Sequence, residues 1–274
     1  MKVGNNRPVP KPQQASAGNN NRVHNKNVPI HDSLNKPGGD ENKHKKTRSH
    51  GQQPVEETIS VVSSQPDDDE VTRVGPEDFM PLKMLGSGSF GEVYLVREIR
   101  TKELFAMKVL TKAKIFGNNL VRYAKTERDV LSYTKHPFIV GLNYAFQTLT
   151  KLFLILDFCP GGDLGRVLQR EGRLSEERAR KYLSEVLLAI EALHKRDIIF
   201  RDLKPDNVVI DTDGHACLTD FGLSKEGVFD PSRGAKSFCG SVAYLAPEMI
   251  RKAGHGKSVD WYLLGVILYE MIVG

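Results

Sequence analysis

A chain of 274 residues with 39% hydrophobic content can build a sizeable core, as one large domain or two smaller ones, which places it among soluble globular proteins. Lys plus Arg at 39 against Asp plus Glu at 34 leaves a formal charge of +5, too modest at this length to argue for nucleic acid as a partner. Cys159, Cys217 and Cys239 are odd in number and lack the paired short spacings of zinc sites and disulfide frameworks, so reduced thiols and a cytoplasmic location, with the nucleus left open, are expected.

From Met1 to about residue 76 the sequence is rich in Asn, Gln, Ser, Pro, Lys and Gly, with no sustained hydrophobic period. Such a segment cannot offset its ordering entropy and is expected to be a disordered tail. Its start, Met1-Lys2-Val3-Gly4, offers neither an apolar signal core nor a second-position glycine, so secretion and lipid anchoring are not indicated. Order is expected from Phe79, where apolar and polar residues begin to alternate and Phe79 to Leu85, Glu92 to Arg97 and Leu104 to Leu110 read as strands. Helical spacing follows at Arg122 to Tyr133, then an apolar strand at Leu152 to Phe158, then mainly helix, as in Glu176 to His194. The expected architecture is therefore α+β: a small sheet-rich part over 77–158 and a larger helical part over 159–274. The most apolar run, Leu263 to Val273, contains Glu270 and is far shorter than the roughly 20 residues a membrane span needs; it reads as a buried helix.

Gly86-Ser87-Gly88-Ser89-Phe90-Gly91, with Leu85 before it and Glu92-Val93 after it, joins two strand-like segments, so its glycines fall in a turn where backbone can approach a polyphosphate. A dinucleotide fold would need a helix directly after the glycines, and a strand stands there instead. Lys108 lies in the apolar strand Ala106-Met107-Lys108-Val109, where a cation must find a counter-charge. Glu127, on the helix about twenty residues on, is the candidate to orient it against phosphate.

The strongest signal is Ile199-Phe200-Arg201-Asp202-Leu203-Lys204-Pro205-Asp206-Asn207 followed by Thr219-Asp220-Phe221-Gly222. Phosphoryl transfer asks a protein mainly for positioning and charge stabilisation, and these residue types supply both. Asp202 suits the orientation of a hydroxyl and acceptance of its proton, Lys204 the neutralisation of charge on the moving group, and Asn207 and Asp220 the holding of Mg²⁺.

These residues resemble the eukaryotic protein kinase superfamily over about Phe79 to Gly274. Phe105-Ala106-Met107-Lys108, His136-Pro137-Phe138-Ile139-Val140 and Ser237-Phe238-Cys239-Gly240-Ser241 before Tyr244-Leu245-Ala246-Pro247-Glu248 are similar to the AGC group, which includes ribosomal protein kinases and protein kinases A, B and C. The resemblance implies a bilobal fold with ATP in the cleft. It places Leu156 as gatekeeper, Asp157 and Cys159 as hinge backbone toward adenine, Asp163 near the ribose, and Val93, Ala106 and Val209 around the base. Lys204, two residues after Asp202, implies protein Ser and Thr acceptors rather than Tyr. Asp163 and Asp206 stand where basophilic members read upstream arginines, although Glu is usual at both.

Ser237 stands where the group carries an activating phosphorylation, which implies an upstream kinase, with Arg201 and Lys225 as phosphate partners. Phe200 departs from the usual His or Tyr and is expected to fill an apolar column with Phe221, Leu131 and Leu142. Asp260 matches a buried aspartate that braces the catalytic loop. The stop at Gly274 falls inside a helix that the family follows with others, so a C-terminally truncated kinase is expected, its missing part including any regulatory tail that docks near the Glu127 helix. The alternative to an active enzyme is a nucleotide-binding pseudokinase scaffold, inactive as this truncated chain.

Overall fold

The computed structural model describes residues 74–88, 91–117, 120–237 and 239–274. The tail expected over 1–76 lies outside them up to residue 73, as do Ser89, Phe90 and Phe238.

Alternation in the first part builds a five-stranded antiparallel sheet in the order β1-β2-β3-β5-β4. The strands are β1 (Phe79–Ser87), β2 (Gly91–Glu98), β3 (Leu104–Thr111), β4 (Leu142–Gln147) and β5 (Lys151–Asp157), each within two residues of the sequence expectation where one was made. On β3 the two-residue period separates two jobs. Phe105, Met107 and Val109 point into an apolar cluster with Phe79, Val96, Phe146, Phe153 and Ile155, while Ala106 and Lys108 point the other way. Phe79 stacks on Phe146 at 5.9 Å between ring centres and Phe146 on Phe153 at 5.1 Å, locking the register on the buried face.

Two helices, α1 (Lys112–Gly117) and α2 (Val121–Tyr133), follow β3, and α2 buries Glu127, Val130 and Leu131. Between these helices and the β4–β5 side lies a cavity of about 330 Å³ with Leu110, Ile115, Phe116, Val121 and Phe153 in its wall.

The second part holds α3 (Leu164–Glu171), α4 (Glu176–His194), α5 (Pro247–Ile250) and α6 (Ser258–Val273), with a small sheet of β6 (Gly162–Asp163), β7 (Val208–Ile210) and β8 (Ala216–Leu218). The α4 start is set by Ser175, whose side chain accepts from Arg178 N at 3.3 Å, and by Glu176 and Glu177 in the first turn. Its buried residues Ala179, Tyr182, Val186, Ala189, Ile190 and Leu193 recur at helical spacing and form one stripe. That stripe meets Leu263, Leu264, Ile267 and Met271 of α6 in the main core. The same core runs up through β7 and β8 to Leu154 and Leu156 of β5 and Val130 and Leu131 of α2, so both parts share one apolar interior. Phe200 and Phe221, both fully buried with ring centres 5.2 Å apart, sit in it with Leu131, and Leu142 packs against it. No helix among the described residues is long and apolar enough to cross a membrane.

His255 is buried, and its Nε2 has no hydrogen-bond partner; its backbone pairs with Ala235 of the long loop before α5, at 2.9 and 2.8 Å. Burial first, then the nearby Arg201 guanidinium, pushes its pKa below the ordinary value. The unfolded chain therefore takes up this proton at a higher pH than the folded one, and stability falls as pH drops below about 6.5. Replacing His255 with Phe fills the space without a titrating group. Urea midpoints measured across that range are expected to fall less steeply in His255→Phe than in the native protein; equal slopes would show that the imidazole carries none of this dependence.

Candidate active site

Lys108 is carried on the face of β3 opposite the aromatic cluster, in register with Val93 of β2 and Leu154 of β5. From α2, Glu127 reaches its ammonium at 2.6 Å, and Asp220 meets the same nitrogen at 3.1 Å. Lys108 and Glu127 keep only 12% and 4% of their side-chain exposure, whereas Asp220 keeps 39% and so faces the cleft. Burial works against the Lys108 charge, but Glu127 and then Asp220 more than offset it and hold the pKa above the usual lysine range. Asp220 is held below the usual carboxylate value chiefly by Lys108. Burial first, with the nearby Asp220 carboxylate adding to it, holds the Glu127 pKa above its ordinary value, and the Lys108 ammonium only partly counters them. Asp220 adopts φ 63°, a left-handed conformation that an aspartate tolerates better than most residues, just before the turn Phe221–Leu223.

Asp260 organises the catalytic loop from α6. Fully buried, it accepts from Phe200 N at 2.9 Å and Arg201 N at 2.8 Å, and its carboxylate lies 2.8 Å from His194 Nε2. A buried carboxylate without such partners would cost several kcal/mol; with them it becomes a rigid post. It holds Arg201 at φ 70° and so aims the next residue, Asp202. Asn207 Nδ2 donates to Asp202 O at 2.7 Å and Oδ2 at 2.9 Å, Lys204 Nζ lies 3.2 Å from Oδ2, and Ser241 N donates to Oδ1 at 3.2 Å. Lys204 also donates to Ser241 Oγ at 3.0 Å, so Ser241 is tied to the catalytic loop. With the Asn207 amide nitrogen spent on Asp202, its amide oxygen and the Asp220 carboxylate are the hard oxygen donors that would hold a metal. Two such protein ligands suit Mg²⁺, which keeps water and phosphate in its remaining positions.

Over the cleft, Gly88 N donates to Gly91 O at 2.9 Å and closes the β1–β2 turn. A Cβ on Gly91 would lie 2.0 Å from Val109 O, so only glycine lets β2 approach β3 there. Gly86 and Gly88 have nothing within 4 Å of such an atom, which leaves their backbone open on that side. Leu85, Ser87, Glu92 and Val93 flank the turn on β1 and β2. Ala106 is paired with Leu156 across β3 and β5, and Val209 on β7 packs against the same core as Ala106. Asp157 accepts from Gly141 N and Asn143 Nδ2, both at 2.8 Å, so its side chain fastens the loop before β4 rather than entering the cleft. Burial, then Cys217 beside it, pushes the Cys159 thiol up to about 12, which leaves it no nucleophilic role near neutrality.

Two parts of the arrangement were not legible in the motifs. Asp163 caps α3, accepting from Arg166 N at 2.8 Å, and pairs with Arg166 Nε at 3.1 Å, while Arg166 Nη2 donates to Leu85 O at 3.1 Å. Around Ser237, Arg201 Nη1 donates to its Oγ at 2.6 Å and Nε to Leu223 O at 2.7 Å. Lys225 donates to Gly234 O rather than to Ser237. Arg122 of α2 is the unforeseen third cation: after burial, Arg201 and Arg122 together press the Lys225 pKa downward.

Residues 79–274 match the protein kinase domain family. The chain is 49% identical over 201 residues to the serine/threonine-protein kinase AtPK2/AtPK19 of Arabidopsis thaliana, covering 73% of this chain and 42% of that protein. It is 48% identical over 202 residues to a RAC family serine/threonine-protein kinase homolog of Dictyostelium discoideum (74% and 46%), and 50% identical over 205 residues to human ribosomal protein S6 kinase alpha-3 (74% and 27%). The chain thus spans less than half the length of these relatives. With the shared ammonium of Lys108, the braced loop at Asp202 and a family match over residues 79–274, the chain belongs to the protein kinase domain family.

Proposed function

We propose that this chain carries the catalytic machinery of a serine/threonine protein kinase that transfers the γ-phosphate of ATP to Ser or Thr hydroxyls of proteins, with Mg²⁺. The observation that carries the reading is the Lys108 ammonium held at once by Glu127 and Asp220 at 2.6 and 3.1 Å. That geometry aims one cation at the phosphates and leaves the half-exposed Asp220, with Asn207, to hold the metal. Mg²⁺ bound there supplies neutralisation of phosphate charge. Leu85 to Val93 form the roof over the phosphates, Ala106 and Val209 with Val93 enclose the base, and Leu156, Asp157 and Cys159 line its edge. Ser89 and Phe90 belong to that roof by sequence, outside the described residues.

Asp202 Oδ1 and Oδ2 are fixed by Ser241, Asn207 and Lys204, so the carboxylate orients without freedom to wander. The substrate hydroxyl oxygen forms a bond to the γ-phosphorus as the bond to the β-γ bridging oxygen breaks; the hydroxyl proton passes to Asp202, ADP leaves, and Lys204 offsets charge on the moving group. Asp163 and Asp206 lie close together beside Gly165 at the cleft mouth, where a Cβ would meet Asp163 Oδ1 at 3.2 Å and Asp206 Cγ at 3.7 Å. Two adjacent carboxylates favour a basic residue upstream of the acceptor.

Ser237 is read as the activating phosphosite for an upstream kinase. A phosphoryl group there gains charge-assisted bonds from Arg201, with Arg122 and Lys225 near, in place of one neutral hydroxyl contact. Because Asp260 holds the Arg201 backbone one residue from Asp202, ordering at Ser237 passes to the base. The cavity beside α2 is apolar, in keeping with a regulatory tail docking near Glu127.

In the full-length protein, Asp202→Asn keeps the side-chain shape but loses the base and one of the two accepting oxygens, and is expected to lower kcat about 10²- to 10⁴-fold with nucleotide binding retained. Asp220→Asn should instead weaken Mg²⁺-dependent nucleotide binding, read by calorimetry with and without the metal. Ser237→Ala is expected to cut kcat/KM at least about tenfold, the loss of about 1.4 kcal/mol of positioning. Full activity in Ser237→Ala would remove the phosphosite, and a peptide array with no gain from upstream arginine would remove the basic preference.

A further inference from the structure

We propose that Arg166 sets substrate selectivity by occupying one of the two carboxylates at the cleft mouth with the chain's own guanidinium. This deepens the kinase reading and rests on it. Asp163 and Asp206 share the space over Gly165, a residue with no side chain to separate them. Asp206 is exposed between the buried Pro205 and Asn207. Asp163 is not equally available: Arg166 Nε sits 3.1 Å from its Oδ2, and the Arg166 backbone N–H takes Oδ1 at 2.8 Å. The other end of the guanidinium, Nη2, donates to Leu85 O at 3.1 Å, so the arginine is stretched along the surface from α3 to the root of the β1–β2 turn.

An incoming arginine thus meets one free carboxylate, Asp206, and a second already neutralised. Arg166 keeps 65% of its side-chain exposure, so the ion pair is screened and a competing guanidinium can displace it. The effect is therefore graded: Arg166 lowers the advantage of a basic peptide without abolishing it. Its size is about fivefold, the factor to which about 1 kcal/mol of exposed pairing converts. A methionine at the same place keeps the length and the helix propensity of α3 and removes the charge.

The experiment compares full-length enzyme with Arg166→Met on two peptides that differ only by arginine or alanine upstream of the acceptor serine. The ratio of kcat/KM for the arginine peptide over the alanine peptide is expected to rise about fivefold in Arg166→Met, through a lower KM for the arginine peptide, with the alanine peptide unchanged. Asp206→Asn should remove most of the preference in the native background and leave a residual preference in Arg166→Met, carried by the released Asp163. An unchanged ratio in Arg166→Met, or an equal change on both peptides, overturns the proposal, the second outcome marking Arg166 as a bridge of purely structural effect. If the unaltered enzyme phosphorylates neither peptide nor any other serine peptide, the kinase reading itself fails and this inference falls with it. If it phosphorylates both equally and Arg166→Met still shows no preference, only the inference falls.

Discussion

A lysine ammonium placed inside a β-sheet protein has to be answered, and the arrangement of this chain follows from how Lys108 is answered. Glu127 comes from a helix and Asp220 from a turn 112 residues further along the chain than Lys108, so three separate segments must be correctly placed before the charge is satisfied. Desolvation of the cation is costly enough that a partly built site would be worse than an apolar one. Correct assembly of the cleft and satisfaction of a buried charge are therefore the same event. The exposed part of Asp220 shows that the cluster is not closed on itself: one carboxylate is shared between the protein and whatever enters the cleft.

Asp260 plays the corresponding part below the cleft. Its carboxylate takes the Phe200 and Arg201 N–H groups and meets the His194 ring, so the positive φ at Arg201 is held by α6 and α4 rather than by the loop itself. The cost of that conformation is met by a carboxylate anchored in the large-lobe core. Arg201 consequently has a backbone fixed at the loop and a guanidinium free to bind Leu223 O, Ser224 O and Ser237 Oγ. One residue thus joins the loop at Asp202 to the segment that carries Ser237.

Local patterns were readable wherever the physics was local. Strand alternation, the spacing of α4 and the glycine turn depend on neighbours in the chain, and they lie where the sequence places them; Glu176–His194 matches to the residue. Lys108 with Glu127 was readable because a charge in an apolar strand demands a partner. Arg166 and Arg122 were not, because nothing in their own segments requires them: each is a surface helix arginine whose meaning comes from a carbonyl or a cation contributed by another element. The use of the Asp163 side chain as an N-cap was open to reading, since an aspartate three residues before a helical position is a common start signal, but the hinge resemblance drew attention to the ribose instead. Phe200 illustrates the opposite case. Its departure from the usual polar residue costs nothing visible, because the position is fully buried against Phe221 and asks only for an apolar ring.

The element on which these constraints converge is α2. Its inner face supplies Glu127 to Lys108, its buried Val130 and Leu131 belong to the core shared by both lobes, and its first turn carries Arg122 toward the Ser237 cluster. Its last residue, Tyr133, donates to Glu226 in the segment after Asp220, and the outer side walls the apolar cavity with Val121 and Ala124. A helix seated by Val130 and Leu131 in the core and by one buried ion pair cannot turn and keep a 2.6 Å contact. The Lys108–Glu127 distance is therefore the quantity through which the orientation of α2 is felt in the cleft.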